Sequence, residues 1–141
     1  MFELSKQFRF ESAHTLNRTI DAEPSRRIHG HSYRAEVTVR GNADPETGMV
    51  LDLGLFERAL ADAHDGLDHR FLDEINDLGP ATLENLSAWI WRKLSSVAPG
   101  LARVTVYRDS NGEACSYFGP ATMDARAPHF EVAAVQWRLR A

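Results

Sequence analysis

The stretch "IHGHSYRAEVTVRG", Ile28 to Gly41, alternates with a period of two: His29, His31, Tyr33, Ala35, Val37 and Val39 fall on one side of an extended chain, and Arg34, Glu36, Thr38 and Arg40 on the other. That period marks a β-strand with one face buried, so a strand is predicted over His29–Arg40. Two imidazoles then leave the same face one step apart, and the intervening Gly30 leaves room for a close approach.

The pattern repeats upstream. Phe8, Phe10, Ser12 and His14 share one face and Gln7, Arg9 and Glu11 the other, which predicts a strand over Leu4–His14 with His14 as its inward end. Between the two strands, Asn17–Arg27 holds a proline and many charges without periodicity and reads as a loop of roughly a dozen residues.

Downstream, "GNADPETG" (Gly41–Gly48) is a turn by its Asp-Pro and Gly content. Asp52 is placed to cap a helix whose apolar positions Leu53, Phe56, Leu60 and Ala63 recur at helical spacing, with Gly66 as its stop. Thr82 is placed to cap a second, with Leu83, Leu86, Ile90 and Leu94 as its stripe and Pro99-Gly100 as terminator. "LARVTVYRD" and "ACSYFG" read as two further strands joined by the turn "SNGE", and "FEVAAVQWRLRA" as an added fifth. The order ββααββ implies an α+β domain, an antiparallel sheet with two helices on one face. Long strands leave unpaired edges, so an oligomer joined edge to edge is expected.

Composition sets limits on function. A chain of 141 residues suits one domain over residues 1–141. With 16 basic and 20 acidic residues it has no basic run to track a phosphate backbone, so nucleic acid is not expected as a partner. No 18-residue apolar run appears and the first residues alternate, which argues against a membrane partner and for a cytoplasmic protein. Cys115 is the single cysteine and has no internal disulfide partner, in keeping with a reducing compartment.

His14, His29 and His31 form a candidate site for Zn2+, which accepts imidazole nitrogen and in catalytic sites takes three protein ligands with one position open. On spacing alone the pair of the HxH motif reads first as surface or half-buried polar rings, and the inward His14 brings the metal reading level with that one. Asp68 beside His69 is the second candidate, a carboxylate able to orient an imidazole for proton transfer. His64 reads as a cation near a helix C-terminus, and His129 receives no role.

Taken together, "FRFESAH", "IHGHSYRAEV", "GMVLDL", "GLDHRFLDE" and "PATLENLSAWIW" resemble, in order and spacing, the 6-pyruvoyltetrahydropterin synthase and 6-carboxytetrahydropterin synthase family, over Phe8 to about Phe118. The resemblance implies the tunnelling fold, in which the strands of three subunits close a barrel and two trimers stack into a hexamer with active sites between subunits. It implies zinc on His14, His29 and His31, a reduced pterin such as dihydroneopterin triphosphate as the small-molecule substrate, and a lyase-type reaction. Asp68 and His69 match the family's proton-transfer pair, which reaches in from a neighbouring subunit.

Two departures from the family pattern are visible. The family's catalytic base is a cysteine on the loop before HGH, four residues ahead of the first histidine in the bacterial queuosine-pathway enzymes and six ahead in the animal ones; here Ser25 and Glu23 stand there. A serine hydroxyl is far less acidic than a thiol, whereas Glu23 is a carboxylate base as it stands. Cys115 does not match that position. The second departure is the pterin anchor, a glutamate ending the third strand in "VxVxET": this chain has "VTVYRD", with Arg108 in its place and Asp109 beside it. An arginine has no acceptor for the donors of a 2-amino-pyrimidinone ring. The expectation is that Asp109 takes the role or that the pocket holds another substrate. Thr82 and Glu84 match the region lining the same pocket, although "TLEN" is equally an ordinary helix start. The C-terminal extension, 119–141, would cap the barrel edge or narrow the pocket mouth.

Overall fold

A computed structural model describes residues 1–121. Its elements are β1 (Phe2–His14), α1 (Ala22–Arg26), β2 (His29–Gly41), α2 (Leu53–Leu67), β3 (Arg70–Phe71), α3 (Leu83–Leu94), β4 (Leu101–Arg108) and β5 (Glu113–Tyr117). The sheet order is β3-β1-β2-β4-β5. All neighbours run antiparallel except β3, which pairs in parallel with Ser12 and Ala13 of β1.

The alternation in the sequence sets the layers. β1 and β2 pair along their whole length, from Phe2 opposite Gly41 to His14 opposite His29. Phe10, Tyr33, Ala35, Val37 and Val39 all face one side and are buried, and Val104 and Val106 of β4 extend that surface. Two amphipathic helices cover it. α2 buries Phe56, Leu60, Ala63 and Leu67, and α3 buries Leu83, Leu86, Trp89, Ile90 and Leu94. Both caps form: the Asp52 carboxylate accepts from the amides of Gly54 and Leu55, and the Thr82 hydroxyl from the amide of Asn85. The opposite face carries Arg9, Glu11, Arg34 and Glu36 and stays polar.

Three details differ from the expectations. The loop after β1 contains α1, whose five residues are too few to show a 3.6-residue period; Pro24 is tolerated because amides of a first helical turn have no partner within the helix. β3, two residues long, is likewise too short to alternate. Gly66 does not stop α2, which runs through it to Leu67. It is there because a Cβ would sit 2.8 Å from the Trp89 ring. That ring is buried and tied by its Nε1 to Asp77, 2.9 Å away, so it has little freedom to retreat. Gly66→Ala is therefore expected to lower stability by about 1–3 kcal/mol despite the ~1 kcal/mol gain in helix propensity, and an unchanged or raised melting temperature would refute the packing role. The candidate fifth strand, His129 and nearly all of the 119–141 extension lie outside the described residues.

Candidate metal centre and active site

The β1–β2 ladder assembles the histidines. His14 lies opposite His29, and Ser12 opposite His31, so all three rings leave the helix-covered face at one end of the sheet. Their ring centroids are 4.5, 4.9 and 5.0 Å apart, and one ring nitrogen from each lies within 4.8 Å of the other two.

The surroundings fix the tautomers. Nδ1 of His14 is 2.9 Å from the carbonyl of Ala81, and Nδ1 of His29 is 2.7 Å from that of Arg27. A carbonyl only accepts, so each Nδ1 carries the hydrogen and each Nε2 keeps a lone pair. Those two Nε2 atoms lie 2.9 Å apart. Two lone pairs in contact repel unless a cation lies between them, and this donor set therefore fits a metal ion. Burial holds the His14 imidazole below its usual range. His31 is held at about 4, first by burial and then by the neighbouring Arg108 guanidinium. Neutral rings are what a metal requires.

The centre opens into a cleft of about 560 Å³ lined by His29, His31, Ser25, Thr82, Glu84, Arg108 and Glu113, among others. Arg108 stands with one terminal nitrogen 3.5 Å from His31 Nε2 and the other in an ion pair with Glu113. The Thr82 hydroxyl is committed to its helix cap, while the Glu84 carboxylate is exposed in the cleft.

Other candidates are placed elsewhere. Asp109 does not move into the cleft: its carboxylate accepts from Arg34 at 2.9 and 3.0 Å on the polar face of the sheet, and that guanidinium holds its carboxyl below the usual range. Ser25 lines the cleft, but its hydroxyl is occupied by the carbonyls of Leu16 (2.9 Å) and Ala22 (2.7 Å) and the amide of Arg18 (3.2 Å). Glu23 is exposed and 3.0 Å from Arg27; it does not itself line the cleft, although its chain neighbours Asp21 and Pro24 do.

Asp68 and His69 do form a pair, His69 Nδ1 lying 2.8 Å from the carboxylate. The Glu11 amide, 2.9 Å from Asp68, is the main cause of that carboxyl's depressed pKa, with the His69 hydrogen bond second. His69 has a left-handed backbone, φ 56°, and an exposed ring. It lines a separate shallow pocket along the edge of β1, which has only His31 in common with the cleft.

The sequence model of the 6-pyruvoyl tetrahydropterin synthase family matches residues 3–120, which contain every residue of this site. The chain belongs to that family. Among curated pterin synthase relatives, the 6-carboxy-5,6,7,8-tetrahydropterin synthase of Synechocystis is 36% identical over 126 residues, covering 85% of this chain and 95% of its own. The human 6-pyruvoyl tetrahydrobiopterin synthase is 31% identical, covering 77% and 86%. The solved Caenorhabditis elegans 6-pyruvoyl tetrahydropterin synthase superposes with a TM-score of 0.72 at 27% identity, covering 84% of this chain and 96% of that one. The single chain thereby has the α+β subunit fold expected from the five motifs.

Glu113 was not among the sequence candidates. Only the β4–β5 register, with Arg108 opposite Glu113, brings it into the cleft.

Proposed function

We propose that the chain is a zinc-dependent pterin synthase of the lyase type, acting on dihydroneopterin triphosphate or a closely related reduced pterin. The observation that carries this is the convergence of the two Nε2 lone pairs of His14 and His29 beside His31, at the inner end of an open cleft. When bound there, zinc would supply Lewis acidity toward side-chain hydroxyls of the substrate. The chain's own residues do the rest. The carbonyls of Ala81 and Arg27 hold two imidazoles in the metal-binding tautomer. Asp68 keeps the hydrogen on His69 Nδ1, leaving Nε2 to take and return a proton.

Glu23 is the base we assign to the loop before HGH. Its carboxylate is exposed on a turn whose neighbours line the cleft, whereas the Ser25 hydroxyl is spent on tying that turn together. Glu23→Gln is expected to lower turnover about 10²- to 10⁴-fold with little change in melting temperature. Ser25→Ala is expected to cost about 1–3 kcal/mol of stability with a smaller effect on turnover. The reverse order of turnover losses would move the role to the serine.

The proposal includes a cytoplasmic hexamer built as a dimer of trimers from single 1–141 domains, and unpaired strand edges and an apolar pocket favour association between copies. Among the described residues, β1 pairs on its outer side only at Ser12 and Ala13, and β5 has a free outer edge. A pocket of about 470 Å³ is lined by exposed apolar residues including Phe2, Met49 and Leu53. Among the described residues, no helix is long and apolar enough to cross a membrane.

The whole proposal is tested by incubating zinc-loaded protein with dihydroneopterin triphosphate and reading products by mass spectrometry. Loss of triphosphate with rearrangement or cleavage of the side chain is the expected result. An unchanged substrate with zinc verified bound would favour a second reading, in which Arg108 marks a different anionic or heterocyclic substrate.

A further inference from the structure

Arg108 removes an acceptor from the end of β4, and the sheet supplies one beside it. Residues directly opposite on antiparallel strands point to the same face, about 5 Å apart, while consecutive residues point to opposite faces. Asp109, next along the chain, accordingly faces away and is held by Arg34. Glu113, opposite Arg108 on β5, faces the cleft. The turn between them makes this possible: Gly112 adopts φ 68° and returns the chain so that Glu113 opens the next strand in register with Arg108.

We infer that Glu113, held by Arg108, is the residue that reads the heterocyclic edge of the substrate in this chain. The inference rests on the pterin assignment above and adds to it which atoms recognise the ring. The carboxylate offers two acceptor oxygens, each with lone pairs to spare beyond the ion pair. The guanidinium lies alongside, its terminal N–H groups beside Glu113 and His31 and its buried Nε–H lacking an acceptor among the described residues. Acceptor, acceptor and donor in a row complement the 2-amino group, N3–H and O4 of a 2-amino-4-oxo ring, which present donor, donor and acceptor. A 2,4-dioxo ring presents acceptor, donor and acceptor and mismatches at its 2-position. Arg108 is in this arrangement a positioning residue for Glu113 as well as a donor, and its departure from the family's glutamate does not by itself abandon pterin recognition.

Calorimetric titration of the metal-loaded protein with pterin and with lumazine, its 2-oxo counterpart, tests this, with metal content measured for each variant. Wild type is expected to prefer pterin, and Glu113→Gln to weaken pterin binding about 10- to 100-fold while leaving lumazine nearly unchanged and metal content intact. Asp109→Asn is expected to leave the pterin affinity as it is. If Glu113→Gln fails to fold because it strands the Arg108 charge, the double variant Arg108→Gln/Glu113→Gln leaves no lone charge behind and is expected to show the same loss of preference. Pterin binding that survives the loss of Glu113 would overturn the inference and leave the pterin assignment standing. A wild type that binds no pterin would overturn both.

Discussion

Purified His29→Ala protein is expected to hold less than about a tenth of a zinc ion per chain and to keep its fold and assembly, because a site built on three imidazoles loses a ligand while nothing in the core is opened. His29 suits the experiment better than its partner. His14 is fully buried and donates to the Ala81 carbonyl, so His14→Ala would also leave that carbonyl unpaired at a cost of about 1–3 kcal/mol, and a missing metal would be confounded with a loosened sheet end. His29 is only half-buried, and the one backbone group it binds, the Arg27 carbonyl, is at the exposed end of the α1 turn. The β1–β2 ladder that ends at this pair has twelve further residue pairs to hold it. Metal analysis decides the matter: stoichiometric zinc in the folded variant would sink the ligand assignment, and loss of zinc with loss of the fold would show that the ring is structural.

What the sequence made legible follows from the length of each pattern. Thirteen-residue strands repeat their alternation enough times to be unmistakable, and that alternation alone places His14, His29 and His31 on one face. The two long helices announced themselves by stripe and cap. α1 and β3 span five and two residues, too few to repeat the period that would reveal them. The role of Ser25 was hidden for another reason: its hydroxyl joins residues 16, 18 and 22, and no local pattern encodes which backbone groups a loop brings together. Gly66 was legible as a glycine but not as a contact, since Trp89 lies 23 positions away and meets it only when α2 and α3 pack. Asp109 and Glu113 show the limit most clearly. Sequence proximity favoured Asp109, yet strand parity turns it outward, and cross-strand register brings in Glu113 from the far side of a turn.

The separation of His69 from the histidine triad gives the last prediction. Within one chain, the exposed His69 ring stands where β3 joins β1, its amide bonded to the Glu11 carbonyl, in a pocket that meets the cleft only at His31. The prediction is that His69 serves a site completed by a neighbouring copy that docks over that pocket. His29→Ala and His69→Ala should each abolish or reduce turnover by about 10²-fold or more as pure proteins. Co-expressed in equal amounts and assembled at random, they should recover about one quarter of wild-type activity, since a site that takes its triad from one copy and His69 from the next finds both intact with a probability of one half times one half. Mixing the already assembled proteins should restore nothing until subunits exchange, which gives the control. If both groups serve the same chain's site, every chain in the mixture carries a defect and co-expression recovers no activity, and the shared-site arrangement is then wrong even if each residue is catalytic.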